Sequence, residues 1–275
     1  MEYLPRESTA AEYVATDFLP QEANQERNQG GSLAEVSFLR GTTVVDMGLA
    51  DELAEATKVL LVRHGEARPR QPGEAEADRP LTELGRRQAD ALAAALRDLP
   101  IAAVYSSPME RARATAAAVV AVHRPALSVS ILEELREVEP GLFRPAGLSA
   151  EEALREAEAA MDRLLRQDTL RWQDVPYTED GASLRRRGRT ALATIARGHP
   201  GATVVAVAHG GLINACLADI LSLQADFFFP PLNTSVSLVA LPPGFGTAAA
   251  GGARLLALNA LPHAAHLPLA EVSGR

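Results

Sequence analysis

Two apolar runs in the chain stop abruptly at a histidine followed by glycine. The first run, residues 59–62, ends at Arg63 and His64, and the second, residues 203–208, ends at His209. Short apolar runs bounded by glycine predict strands that are buried on both faces. Ligands of open α/β sheets bind at the carboxyl ends of the strands. The pattern therefore predicts one pocket across which the two histidines face each other.

Helical and extended patterns alternate along the rest of the chain. Strands are predicted over residues 58–63, 101–105, 127–131, 202–208, 235–241 and 254–258. Helices are predicted to begin after the N-caps Thr82 and Ser107, with Pro108 in the first turn of the second, and to cover residues 150–166, 183–197 and 211–221. This alternation favours a three-layer α/β/α domain.

Two segments depart from the alternation and suggest the domain organisation. Residues 1–57 hold 11 acidic and 3 basic residues, which account for the whole net charge of −8. A polar stretch without apolar periodicity inside this segment is typical of a flexible extension. We therefore place the domain boundary near residue 57, with the folded domain over 58–275. Residues 138–181 hold one helix and an aromatic-containing loop, which suggests a small cap insertion whose Phe143, Trp172 and Tyr177 line either a pocket wall or the insertion's own core.

Composition excludes several classes of protein and compartment. The single cysteine rules out an internal disulfide and a cysteine-based zinc site, and it makes a reducing, cytoplasmic location the default. No apolar run approaches the length of a membrane span. The densest basic run, Arg185–Arg187, is interpreted as a solvated helix face. We accordingly expect no nucleic-acid and no membrane partner.

Four motifs in a fixed order give the chain a family resemblance. They are RHGE at 63–66, LTELGRRQA at 81–89, SSPMERARATA at 106–116 and VAHGG at 207–211. Together they resemble the histidine phosphatase superfamily, also called the phosphoglycerate mutase-like family, over about residues 58–258. The resemblance implies a three-layer sandwich with a mostly parallel central sheet.

The resemblance also implies roles for particular residues. Arg63 and Arg111 would clamp phosphate oxygens, as bidentate guanidinium groups do. His64 maps to the nucleophile that forms a phosphohistidine, and His209 maps to the partner that contacts the phosphoryl group and steadies the transition state. Glu137, in a stretch similar to the family's Leu-Arg-Glu-Ile, maps to the general acid, with Glu134 as the alternative.

One departure from the family pattern lies close to the first motif. Many members have an asparagine seven residues after the arginine, whereas this chain has Arg70. We expect Arg70 to add a cation to the phosphate site.

These observations predict a metal-independent phosphomonoesterase that acts on a small phosphorylated substrate without a cofactor. Phosphoglycerate mutase-type transfer is the alternative, and a non-catalytic phospho-ligand-binding or scaffold protein is a third reading. A homodimer is possible.

Overall fold

The computed structural model describes residues 53–71, 78–123, 126–139, 141, 143–166, 171–247 and 252–263. The predicted extension, residues 1–57, therefore lies outside the described residues except for its last five. Of those, residues 53–55 are helical and Thr57 begins the first strand.

A six-stranded sheet forms the centre of the domain. Its strands are β1 (Thr57–Arg63), β2 (Ile101–Ser106), β3 (Val129–Ile131), β4 (Thr203–Ala208), β5 (Val236–Leu241) and β6 (Arg254–Ala260), in the order β3-β2-β4-β1-β5-β6. The pairs from β3 to β1 are parallel, and β5 runs antiparallel to both of its neighbours. The mostly parallel sheet is thus confirmed.

Helices cover both faces of the sheet, as the alternation predicts. They are α1 (Glu83–Leu96), α2 (Glu110–Ala121), α3 (Ala150–Leu165), α4 (Gly181–Gly198) and α5 (Gly210–Ile220). Alternate residues of β1 point to opposite faces, as in any strand. Leu60 and Val62 pack with α1 and α2, whereas Val59 and Leu61 pack with α4 and α5. The three-layer architecture follows from these two apolar cores.

One predicted helix start is wrong. α2 begins at Glu110 after Met109, and Ser107 is not its N-cap. Ser107 instead continues the sheet, because its backbone N–H donates to the carbonyl of Val207 on β4 at 3.0 Å. Pairing with β4 keeps this residue extended, so its hydroxyl becomes available at the carboxyl edge of the sheet. By contrast, Thr82 caps α1 as predicted, accepting from Gly85 N at 2.9 Å.

The segment 138–181 contains α3, whose start is fixed by a capping box between Ser149 and Glu152. Its small residues Ala153 and Ala157 are fully buried. Trp172 belongs to the same apolar core as α4 and α5, so this side chain is core rather than an exposed wall. Among the described residues, no helix is both long and apolar enough to cross a membrane.

Candidate active site

The two predicted histidines meet at the carboxyl edge of the sheet. β1 and β4 are adjacent and parallel, and their register pairs Arg63 with Ala208. Because the two strands end at the same level, His64 and His209 lie side by side. Their ring centroids are 5.0 Å apart.

Hydrogen bonds define the tautomer of His64. Its Nδ1 lies 2.7 Å from the carbonyl oxygen of Gly65, which can only accept, so Nδ1 carries the proton. Its Nε2 then holds a lone pair and accepts from Arg111 Nε at 3.1 Å. Burial, together with the charges of Arg111 and Arg63, lowers the pKa of His64 well below its ordinary value. The ring is therefore neutral at physiological pH, with its lone pair directed toward the arginine.

Two arginines flank this histidine. Arg111, on the first turn of α2, is almost fully buried. Arg63 donates through one terminal nitrogen to the carbonyl oxygen of Pro231 at 2.5 Å. Burial lowers the pKa of Arg63, while the charge of Glu137 opposes that shift. A buried cation, Arg111, and a partly buried one, Arg63, next to a neutral imidazole form an environment that favours a dianion.

Ser107 is a site residue that the sequence reasoning missed. Its Oγ lies 2.8 Å from Nε2 of His209, and it also accepts from Met109 N at 3.3 Å. Burial, and the charges of Arg111 and Arg63, lower the pKa of His209 well below its ordinary value. The serine therefore fixes the orientation of a neutral ring. The one signal in the sequence is that Ser107 belongs to the third motif and directly follows a predicted strand; its contact with His209 depends on the pairing of β2 with β4.

Glu137 occupies the N-terminus of α5. Its Oε2 accepts from Gly211 N at 3.1 Å, and its Oε1 accepts from Leu212 N at 3.2 Å and from Val138 N at 3.0 Å. Backbone N–H groups at a helix start attract anions. The start of α5, which directly follows His209, thus holds the carboxylate next to the end of β4.

The loop that carries Glu137 is held by an arginine. Arg187 donates to the carbonyl oxygens of Glu134 and Arg136, at 2.9 and 2.6 Å, and pairs with Glu179 at 2.7 Å. The solvated-face interpretation of Arg185–Arg187 is therefore wrong for two of the three side chains. Arg187 supports this loop, and Arg185 pairs with the buried Asp226. Sequence periodicity could not reveal partners this distant along the chain.

Arg70 is exposed, at the start of a loop whose residues 72–77 lie outside the described part of the chain. A different arginine from this loop acts on His64: the charge of Arg79 is a minor contribution to its lowered pKa. Arg79 is held at the loop base, where its Nε donates to Arg68 O at 2.9 Å. The sequence reasoning missed Arg79.

Close backbone approach explains the glycines of the first two motifs. A Cβ on Gly65 would lie 2.5 Å from the carbonyl oxygen of Gly85, and one on Gly85 would lie 2.0 Å from that of Glu66. Only glycine allows α1 to begin so close to the turn after His64. The two motifs are thus halves of one packing contact.

Two buried nitrogen atoms of the site, Arg63 Nε and His209 Nδ1, have no hydrogen-bond partner among the described residues. Buried polar groups are normally hydrogen-bonded, so unpartnered nitrogens on these two residues indicate a place for an anionic ligand. No group of three or more acidic, histidine or cysteine side chains in the described ranges is arranged to hold a metal ion.

Comparison with known proteins identifies the family. The model of the histidine phosphatase superfamily, branch 1, matches residues 59–250. The chain belongs to the histidine phosphatase superfamily. It is 35% identical over 198 residues to a metal-independent phosphoserine phosphatase of Arabidopsis thaliana, covering 68% of this chain and 78% of the relative. It is 27% identical over 194 residues to phosphoserine phosphatase 1 of Hydrogenobacter thermophilus, covering 66% and 85%.

Solved structures of other proteins share the fold. A mycobacterial glucosyl-3-phosphoglycerate phosphatase aligns with a TM-score of 0.59 and 28% identity, covering 74% of this chain and 99% of that one. The YhfR protein of Bacillus stearothermophilus aligns with a TM-score of 0.60 and 26% identity, covering 76% and 99%. The predicted family, fold class and phosphatase class are therefore confirmed. The cytoplasmic location and the homodimer stay predictions.

Proposed function

We propose that this histidine phosphatase superfamily member hydrolyses a small phosphomonoester without a metal, through a phosphohistidine on His64. The observation that carries the proposal is the neutral His64, whose Nε2 lone pair faces the buried cation Arg111. A phosphoryl group that replaces this contact would meet the lone pair and the guanidinium together. Arg63 Nε and His209 Nδ1 would satisfy further phosphate oxygens.

In the first step, Nε2 of His64 forms a bond to phosphorus as the ester oxygen leaves. Glu137 gives its proton to the departing alkoxide, which yields the alcohol product. The remaining hydrogen of the His64 ring stays on Nδ1, where Gly65 O accepts it. His209 and the arginines stabilise the charge that spreads over the phosphoryl oxygens.

In the second step, water attacks phosphorus and the N–P bond breaks. Glu137, now a carboxylate, takes a proton from the water, and inorganic phosphate leaves. The carboxylate fits both steps because Oε2 accepts a single backbone hydrogen bond, from Gly211, which leaves a lone pair on that oxygen for the proton.

The covalent step can be tested directly. After rapid mixing with a radiolabelled phosphomonoester and an acid-free quench, wild-type protein should retain label in an acid-labile, base-stable linkage. His64→Asn should retain none. Turnover should survive a chelator and be blocked by vanadate, which mimics five-coordinate phosphorus. Turnover that continues in His64→Asn, or that requires an added metal ion, would overturn the proposal.

The role of Glu137 can be separated from that of His64 by varying the leaving group. Glu137→Gln keeps the side-chain volume but has no proton to give at that oxygen. It should lower kcat about 10²–10⁴-fold for alkyl phosphates, the range of general acid catalysis. It should matter much less for p-nitrophenyl phosphate, whose leaving group needs no proton. Equal losses on both substrates would assign Glu137 a structural role, and Glu134→Gln serves as the control.

Phosphoserine is the substrate that we propose to test first, because two relatives are named for it. Its carboxylate is a second anionic group, and two arginines of the β1–α1 loop, Arg70 and Arg79, could bind it. Arg70→Ala and Arg79→Ala should raise KM for phosphoserine but not for p-nitrophenyl phosphate. If Arg70→Ala leaves KM for all phosphoesters unchanged, the added-cation idea for Arg70 fails.

Phosphoryl transfer to a second substrate is the alternative reaction. The reason to test it is a relative named phosphoglycerate mutase-like protein 4 of Arabidopsis thaliana, which is 32% identical over 199 residues. The reaction with 3-phosphoglycerate and a 2,3-bisphosphoglycerate primer distinguishes the two. A hydrolase releases inorganic phosphate, whereas a mutase produces 2-phosphoglycerate.

A further inference from the structure

A buried histidine lies outside the four motifs, just after the last strand. His263 follows β6 and has no exposed surface. Its Nε2 is 2.9 Å from Oγ1 of Thr234. The threonine hydroxyl donates to the carbonyl oxygen of Asn233 at 2.6 Å, so it must accept from the histidine. Nε2 of His263 is therefore the protonated nitrogen.

Thr234 has an unusual backbone conformation for its residue type. Its φ is +55°, in the left-handed region that β-branched residues avoid. It is fully buried. A conformation of this kind persists only where surrounding contacts hold it, and such residues cluster at functional sites. The hydrogen bond from His263 is one of these contacts.

The same turn holds the end of β1, where the candidate site begins. Thr234 N donates to the carbonyl oxygen of Arg63 at 3.0 Å. The neighbouring Asn233 donates through Nδ2 to the carbonyl oxygen of His64 at 3.1 Å. Pro231 accepts from the Arg63 side chain. This one turn thus positions the backbone of both motif residues and the side chain of Arg63.

We propose that His263 is a positioning residue that clamps Thr234 in its left-handed conformation and thereby fixes Arg63 and His64. This inference rests on the proposed function of His64. Without the clamp, the turn relaxes toward an ordinary threonine conformation and carries the end of β1 with it. A displacement of about 1 Å at a nucleophile can cost about 10²-fold in rate.

The first experiment compares variants of two buried histidines with p-nitrophenyl phosphate as substrate. His263→Ala should lower kcat about 10- to 100-fold with a smaller change in KM, as a misplaced nucleophile would. His263→Gln, whose amide N–H can replace Nε2–H, should retain most activity. The control is His123→Ala, since His123 is buried too but bonds the backbone carbonyls of Val119 and Leu96, on α2 and α1, instead of the turn at Thr234. It should lower Tm without changing kcat.

The second experiment tests the clamp itself. Glycine adopts positive φ freely, so Thr234→Gly removes the need for a clamp. Adding it to His263→Ala should restore kcat to within about threefold of wild type. If His263 only stabilised the fold, kcat would not recover in the double variant, because Thr234→Gly does not replace the hydrogen bond that His263→Ala removes. Normal kcat in His263→Ala, or no recovery in the double variant, would overturn the inference.

Failure of the proposed function would look different. In that case wild-type protein would turn over no phosphomonoester at all. The nitrogen-15 resonances of the His64 ring then provide a readout that needs no turnover. They should shift in His263→Ala and return in the double variant, and unchanged resonances would overturn the inference.

Discussion

The rings of His64 and His209 lie with their centroids 5.0 Å apart. Burial is the largest cause that lowers the pKa of both rings, and the charges of Arg111 and Arg63 act in the same direction. The pKa of each ring is therefore lowered, and both rings are neutral near pH 7. A neutral pair beside two cations can accept a dianion without first losing a proton.

The lowered pKa values predict how stability changes with pH. The unfolded chain binds a proton at each histidine below about pH 6.5, whereas the folded chain does not. Stability is therefore complete above that pH and falls as the pH drops toward the folded-state pKa values. Between about pH 7.5 and about pH 5.5 the free energy of unfolding should fall by about 1.4 kcal/mol in total for each histidine, because the unfolded ring gains its proton across this range. Urea unfolding from about pH 7.5 to about pH 5.5 measures this slope.

His64→Asn is the control for that slope, because it removes one of the two titrating rings. In this variant the dependence of the unfolding free energy on pH should lose the contribution of one histidine proton. If the slope in His64→Asn equals that of the wild type, the lowered pKa of His64 is not a source of the pH dependence.

Ser107 should act through His209, whose Nε2 lies 2.8 Å from the serine hydroxyl. Ser107→Ala should lower kcat by about tenfold, in line with the loss of one buried hydrogen bond of about 1–1.5 kcal/mol. In a His209→Gln background the same change should have little further effect, because coupled residues are not additive. Independent, additive losses in the double variant would rule out this coupling.

The contact between Gly65 and Gly85 predicts a position that tolerates no added side chain. Gly85→Ala would place a methyl group 2.0 Å from the carbonyl oxygen of Glu66, so the backbone must move. We expect a loss of about 1–3 kcal/mol in stability and a lower kcat, because the turn after His64 moves too. Thermal unfolding and kinetics measure both effects. The matched control, Gly252→Ala, meets no atom within 4 Å and should change neither.

Cys216 should be chemically inert in the folded protein. Burial on α5 raises the pKa of its thiol to about 12, and the charge of Asp219 adds to the shift. The thiolate is the reactive form, so a disulfide reagent should modify Cys216 only after unfolding. Rapid modification of the native protein would show that this part of α5 opens easily. Cys216→Ala should keep phosphatase activity, since the thiol has no contact with the histidines in the described structure.

The sequence by itself determined most helices and strands of this protein, and it indicated the strand ends at which the candidate active site would lie. Apolar runs gave β1 and β4 their buried character, and a histidine after each run was enough to predict that His64 and His209 would meet. Both signals are local, because strand period and glycine boundaries depend on neighbouring residues alone. The motifs then identified the family and the candidate acid, Glu137.

Tertiary structure alone decided the partners of these residues. Ser107 has the local signature of a helix cap, yet strand order places β2 beside β4 and directs its hydroxyl to His209, 102 residues away. Arg187 looks like a surface charge, yet it holds the loop of Glu137. His263 belongs to no motif and still reaches the turn that supports Arg63. A side-chain hydrogen bond is set by which strands become neighbours, and that information is not carried by either residue's local sequence.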